Sequence, residues 1–144
     1  MERGDVRRVP WSTLAAVSAG GALGALARWL VTTAFPHPPG TFAWATWGVN
    51  VSGCLLIGVL MAVVDRWPDA PRLLRPFLGP GVLGGFTTFS SHIVEAQEAV
   101  RAGAALTGLL YLVATLACGL AAAYAGMRAT RPLLVRRSLG EEQA

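Results

Sequence analysis

The chain contains no lysine: all twelve of its basic residues are arginine. Charged side chains make up only 14% of its 144 residues, against 53% hydrophobic ones. Cysteine is nearly absent. Cys54 and Cys118 lie far apart in apolar stretches, with no Cys-x-x-Cys or Cys/His spacing, so a zinc or dithiol site has no basis and small packing residues remain. No nucleophile–base constellation stands out, so catalysis has no support, and low-complexity segments and strong internal repeats are lacking. A net charge of +4 and a pI near 10 first suggest nucleic acid. The arginines, however, flank apolar runs instead of lining one helix face among aromatics, which points to membrane anchoring and to no nucleic-acid partner.

What the chain has is long apolar runs. Mean hydropathy is +0.50, and four stretches, about 14–35, 43–64, 73–100 and 102–127, each approach or exceed the roughly 20 residues that a helix needs to cross a bilayer. The expected fold is an all-α membrane protein of four transmembrane helices. Its organisation is a basic arm at 1–10, a transmembrane domain at 11–128, and a short basic tail at 129–144, partly frayed. The first run reaches Phe35 without a short core and cleavage site, so it reads as a retained helix, not a secretory signal.

If the N-terminus is cytoplasmic, Arg3, Arg7, Arg8, Arg66, Arg72, Arg75, Arg128, Arg131, Arg136 and Arg137 share its side. The other side has Arg101 alone, with His37 in its first loop. Arginine bias sets orientation, so both termini are expected inside a plasma or inner membrane. Pro68 and Pro71 break the chain between spans two and three, and Trp44 and Trp47 sit where an interfacial aromatic belt belongs.

Span three carries the most informative residues, Gly84-Gly85-Phe86-Thr87-Thr88-Phe89-Ser90-Ser91-His92. Paired glycines and a hydroxyl-rich run predict a helix broken at Gly84–Thr88. Backbone groups freed at membrane depth must be satisfied by protein, ion or water, and broken helices there serve ions or polar solutes.

Polar residues on the other spans point the same way. Arg28, about two turns from the end of span one, costs about 2.5–3.5 kcal/mol at membrane depth; it either attracts anions or snorkels to the interface. Thr46 and Asn50 are one turn apart, as anion donors or as interhelical glue. Phe86, Phe89 and His92 recur every three residues, and Ser91 and Glu95 are four apart. Ring edges can line an anion path, though such a row can also be plain core. Thr107, Tyr111 and Thr115 form a stripe on span four that Gly119 extends, either a donor track or hydroxyls bonded to their own helix.

Three motifs resemble the fluoride channels of the CrcB/Fluc family: Gly21-Ala22-Leu23-Gly24-Ala25-Leu26-Ala27-Arg28, Thr46-Trp47-Gly48-Val49-Asn50-Val51-Ser52-Gly53, and Gly84 through Ser91. The resemblance runs from about residue 14 to 127. It implies an antiparallel dimer with two narrow pores, through which fluoride leaves the cytoplasm passively. It places Asn50 and Phe89 as anion contacts, Tyr111 and Thr115 on a polar track, Arg28 in a vestibule, and Ser91 and Glu95 on the polar side of the helix after the break. It further implies a structural sodium ion held by the backbone carbonyls of Gly84 and Thr87, for which hard carbonyl oxygens are suitable ligands.

Two features depart from that pattern. His92 stands where the family has a second pore phenylalanine, adding a donor and a titratable group, so that pore is expected to conduct differently, depend on pH, or fail. The arginine asymmetry is also steep for a chain inserting both ways; pairing with an oppositely oriented paralogue accounts for both. Two other readings compete. A small four-helix multidrug-type exporter needs a membrane-embedded carboxylate, and spans one, two and four contain no Asp or Glu. For a non-transporting scaffold the glycine-rich faces suffice.

Overall fold

The computed structural model describes residues 10–67 and 69–141, with side chains to 130. The arm residues 1–9 with Arg3, Arg7 and Arg8, the breaker Pro68, residues 142–144, and the side chains of Arg131, Arg136 and Arg137 lie outside the described residues.

Helix α1 spans Trp11–Ala34. It stops where Phe35 precedes Pro36, because a residue before proline is pushed out of the helical region. Helix α2 spans Trp44–Val64. Residues 74–86 form a continuous helical segment, α3: an α-turn at Leu74–Pro76, wide π-type turns over Phe77–Leu83, and an α-turn at Gly84–Phe86. The π register coincides with Pro80, whose ring lacks an N–H and crowds the preceding turn. Helix α4 covers Ser90–Arg101 and α5 covers Ala105–Glu141. Gly103, at φ +79, closes the turn between them, and the Ala104 N–H reaches back to the Ala99 carbonyl at 2.9 Å, a six-residue helix cap.

Among the described residues, three helices are long and apolar enough to cross a membrane: Trp11–Ala34, Trp44–Val64 and Ala105–Thr130 of α5. The third expected span is present but divided between α3 and α4, each too short to cross alone. The break is where the chain was expected to fail, but its limits differ. Gly84, Gly85 and Phe86 are helical, and the interruption falls on Thr87–Phe89, with Thr87 extended at ψ 156. The tail also differs from the frayed segment expected, since helical backbone continues to Glu141.

The glycines explain the shift. They permit close approach instead of breaking the helix: α1 lies along α3 and α2 along α5. A Cβ on Gly24 would run into the Val82 carbonyl oxygen, and one on Gly85 into the Gly21 carbonyl oxygen. Gly58 and Gly126 meet backbone of α5 and α2 in the same way. Such small-residue seams hold helices together in lipid, where burial of apolar surface drives little. Leu106, Leu110 and Val113 are correspondingly exposed on α5. Trp44 is exposed as a belt residue should be, whereas Trp47 turns inward onto Phe42.

Candidate functional site

The interruption is held by one side chain. Asn50 of α2, 8% exposed, donates from Nδ2 to the Thr88 carbonyl at 2.9 Å and accepts the Thr88 N–H on Oδ1 at 2.8 Å. A carboxamide presents a donor and an acceptor side by side, so it pairs with both polar groups of one residue as a neighbouring strand would. The bonds displaced by this clamp matter as much. In a continuous helix the Thr88 N–H would close on the Gly84 carbonyl and the Ser91 N–H on the Thr87 carbonyl. Here the first goes to Asn50 and the second to Thr88 Oγ1 at 3.2 Å. The oxygens of Gly84 and Thr87 are thereby released from those donors. Between them in sequence, the Gly85 carbonyl accepts from Arg28 Nε at 3.2 Å. Arg28 therefore turns into the bundle and fastens α1 to the end of α3.

A second polar centre lies one turn into α4. Glu95 accepts from Thr46 Oγ1 at 2.6 Å on one carboxylate oxygen and from Tyr111 OH at 2.5 Å on the other. Both donors are buried, so α2, α4 and α5 are tied through a single carboxylate. Tyr111→Phe is expected to lower stability by about 1–3 kcal/mol, because it leaves one carboxylate oxygen without its donor. Thermal unfolding of the detergent-solubilised protein, read against Tyr124→Phe on the exposed face of α5, checks this.

Between these centres runs a series of rings. Phe89 and His92 meet edge to face at 6.3 Å, His92 and Tyr111 at 4.8 Å, and Tyr111 and Phe42 at 5.1 Å. His92 is 7% exposed and its Nε2 has no hydrogen-bond partner among the described residues. Together with Asn50, Thr88, Phe89 and Thr115 it lines an open cavity of about 470 Å³. Phe89, 76% exposed, stands at the rim. Among the described residues no group of three or more His, Cys, Asp or Glu side chains is placed to hold a metal.

Comparison with known proteins decides the family. The family model described as "CrcB-like protein, Camphor Resistance (CrcB)" matches residues 15–127, well over half the chain. The chain belongs to the CrcB-like family. The "Fluoride-specific ion channel FluC 2" of Thermobifida fusca (strain YX) is 53% identical over 126 residues, which is 88% of this chain and 93% of that protein. The protein of the same name from Nocardia farcinica (strain IFM 10152) is 50% identical over 118 residues, 82% of this chain and 84% of its own length. "Fluoride-specific ion channel FluC" of Agrobacterium fabrum (strain C58 / ATCC 33970) is 40% identical over 121 residues, covering 83% and 97% respectively.

In this CrcB-like chain the polar residues picked from the sequence divide into groups. Thr46, Glu95 and Tyr111 meet in the carboxylate centre, and Asn50 and Ser91 meet at the break through Thr88. His92 lies between the two. Thr115 lines the same cavity, but its hydroxyl donates to the Tyr111 carbonyl at 2.8 Å and so is satisfied within its own helix. Thr87 Oγ1 likewise donates back to Leu83. Thr88, legible in the sequence only as one of several hydroxyls at the break, is its hub: its backbone pairs with Asn50 and its hydroxyl takes the Ser91 N–H. His37, whose ring comes within 3.8 Å of Glu95, carried no signal, because the contact spans a loop and two helices.

Proposed function

We propose that this chain forms a fluoride-selective channel through which fluoride leaves the cytoplasm down its electrochemical gradient, lowering fluoride toxicity. The observation that carries the reading is the Asn50–Thr88 clamp, which holds unwound backbone open at membrane depth beside a cavity. The relatives' printed names supply the identity of the ion. Fluoride is strongly hydrated, so its path must offer substitutes for water. The second Nδ2 proton of Asn50, the Ser91 hydroxyl and the positive edge of the Phe89 ring are groups of the right kind. Arg28 adds positive charge at the α1–α3 seam. Chloride, larger and more weakly hydrated, is excluded by narrowness and poorer matching. On this reading the chain is a channel and not an enzyme.

The assembly belongs to the same proposal. An antiparallel dimer, with a second copy or an oppositely oriented paralogue, would cover the open side of the cavity and the exposed Phe89 ring. The arginine bias puts both termini of this chain in the cytoplasm and favours the paralogue. The released carbonyls of Gly84 and Thr87 fit a sodium ion, being uncharged oxygen ligands with spare lone pairs. When bound there, sodium would supply the positive charge that those oxygens lack. A multidrug-type exporter is less well supported, since the Glu95 carboxylate inside the bundle is tied to Thr46 and Tyr111.

Proteoliposomes loaded with fluoride and read with a fluoride electrode test the proposal. Release well above protein-free vesicles is expected, with none of comparable rate for chloride; release no faster than from empty vesicles contradicts it. Adding a paralogue distinguishes the two assemblies: high flux from this chain alone counts against an obligatory heterodimer. His92→Phe is expected to raise stability by about 1–3 kcal/mol, because a ring of similar shape removes a buried unpartnered nitrogen. Thermal unfolding in detergent checks it.

A further inference from the structure

We propose that His37, in the loop joining α1 to α2, is a proton-dependent positioning residue for the Glu95 carboxylate; the proposal rests on the fluoride-channel reading. The geometry fixes where the ring's protons sit. His37 Nδ1 lies 3.2 Å from the Pro38 carbonyl oxygen, and a carbonyl can only accept, so Nδ1 carries a proton. In the neutral ring Nε2 is then bare. Yet Nε2 faces Glu95 Oε1 at 3.8 Å, lone pair toward carboxylate. That approach is favourable only when Nε2 is protonated as well, with an imidazolium beside the carboxylate.

The surroundings fit this role. Loop residues Pro36, Pro38 and Pro39 restrict the backbone, Thr41 Oγ1 donates to the Pro38 carbonyl at 2.7 Å, and Gly40 adopts φ +84 where a Cβ would press on Ala102. The ring is thus held against the end of the bundle. Its side chain is 25% exposed and that of Glu95 17%, so protons reach the pair while the carboxylate remains largely covered. The titratable groups that face the pair are Glu95 itself from α4 and Tyr111 from α5; α2 contributes the Thr46 hydroxyl, and His92 lies beyond Tyr111. Thr46 and Tyr111 donate to the Glu95 carboxylate but leave its negative charge in place, one ring away from the cavity-lining His92, where it repels an incoming anion. An imidazolium beside it cancels that charge and holds the carboxylate toward the loop. Fluoride current is therefore expected to be higher at about pH 5.5 than at about pH 8.

Current recorded in planar bilayers at fixed fluoride and symmetrical pH tests this, because neutral hydrogen fluoride crossing the lipid carries no current. A several-fold rise is expected for the wild type over that range. His37→Gln is expected to be flat and low, and His37→Arg flat and high, since its charge is permanent. The pH slope persists in His92→Phe, whatever the size of its current. A flat wild-type profile, or an unchanged slope in His37→Gln, overturns the proposal. A solid-state NMR contact between ring Nε2 and the Glu95 carboxyl carbon, in the wild type in lipid, gives an independent readout. It is expected near pH 5.5 and not near pH 8, and its absence at both overturns the proposal. Presence of that contact with no fluoride current at any pH supports the His37–Glu95 coupling and overturns the channel reading instead.

Discussion

Asn50→Leu is expected to reduce fluoride flux by about a hundred-fold or more, since about 1.4 kcal/mol corresponds to each decade in rate. Leucine is close in size but offers neither donor nor acceptor. It strips both polar groups of Thr88 of their partners inside the bundle, at about 1–3 kcal/mol for each. Once released, the Thr88 N–H can close on the Gly84 carbonyl, restoring helix where an opening is needed. Thr88→Ala is the informative control. The clamp uses only the backbone of Thr88, so alanine keeps it and loses the hydroxyl's bonds to Ser91 and its longer contact with the Ser90 hydroxyl. Flux from Thr88→Ala is expected to fall far less than from Asn50→Leu, with both variants eluting like the wild type on size exclusion. Equal losses from the two would mean that the clamp is not what holds the path open.

Gly24→Ala and Gly85→Ala are expected to destabilise the fold by about 1–3 kcal/mol or more, as overpacking does. Each new methyl meets backbone of the opposing helix: the Val82 carbonyl in one case, the Gly21 carbonyl in the other. Backbone cannot rotate away as the tip of a side chain can, so α1 and α3 must separate. Gly21→Ala and Gly48→Ala carry the opposite expectation. Among the described residues a Cβ at either meets nothing within 4 Å, and alanine suits a helix better than glycine by about 1 kcal/mol. Thermal unfolding in detergent of all four variants reads the contrast directly. The sign should follow the space beside each glycine, not its place in the sequence motif.

These two expectations also show what could be read from the chain and what could not. Hydropathy located α1, α2 and the start of α5 to within a few residues, because a bilayer imposes a length on an apolar run, but α5 runs on to Glu141, well past the end of its apolar stretch. The interruption in the third span was legible from its glycines and hydroxyls, but the glycines suggested the wrong limits. Gly84 and Gly85 are helical, and what opens the chain is Asn50 taking the N–H of Thr88. That bond joins residues 38 apart, and no local propensity encodes it. Thr46, Glu95 and Tyr111 were each visible as polar residues at helical spacing, yet their meeting on one carboxylate depends on how three helices pack. The position of Arg28 in the sequence fits an anion attractor or a snorkelling residue, and in the fold its guanidinium bonds the Gly85 carbonyl.

The most direct measurement is the reversal potential of purified protein in a planar bilayer with fluoride on one side and chloride on the other. A potential set by fluoride alone, with no current once chloride replaces it on both sides, is what this account predicts. A potential near zero, or currents carried equally by chloride, would contradict it.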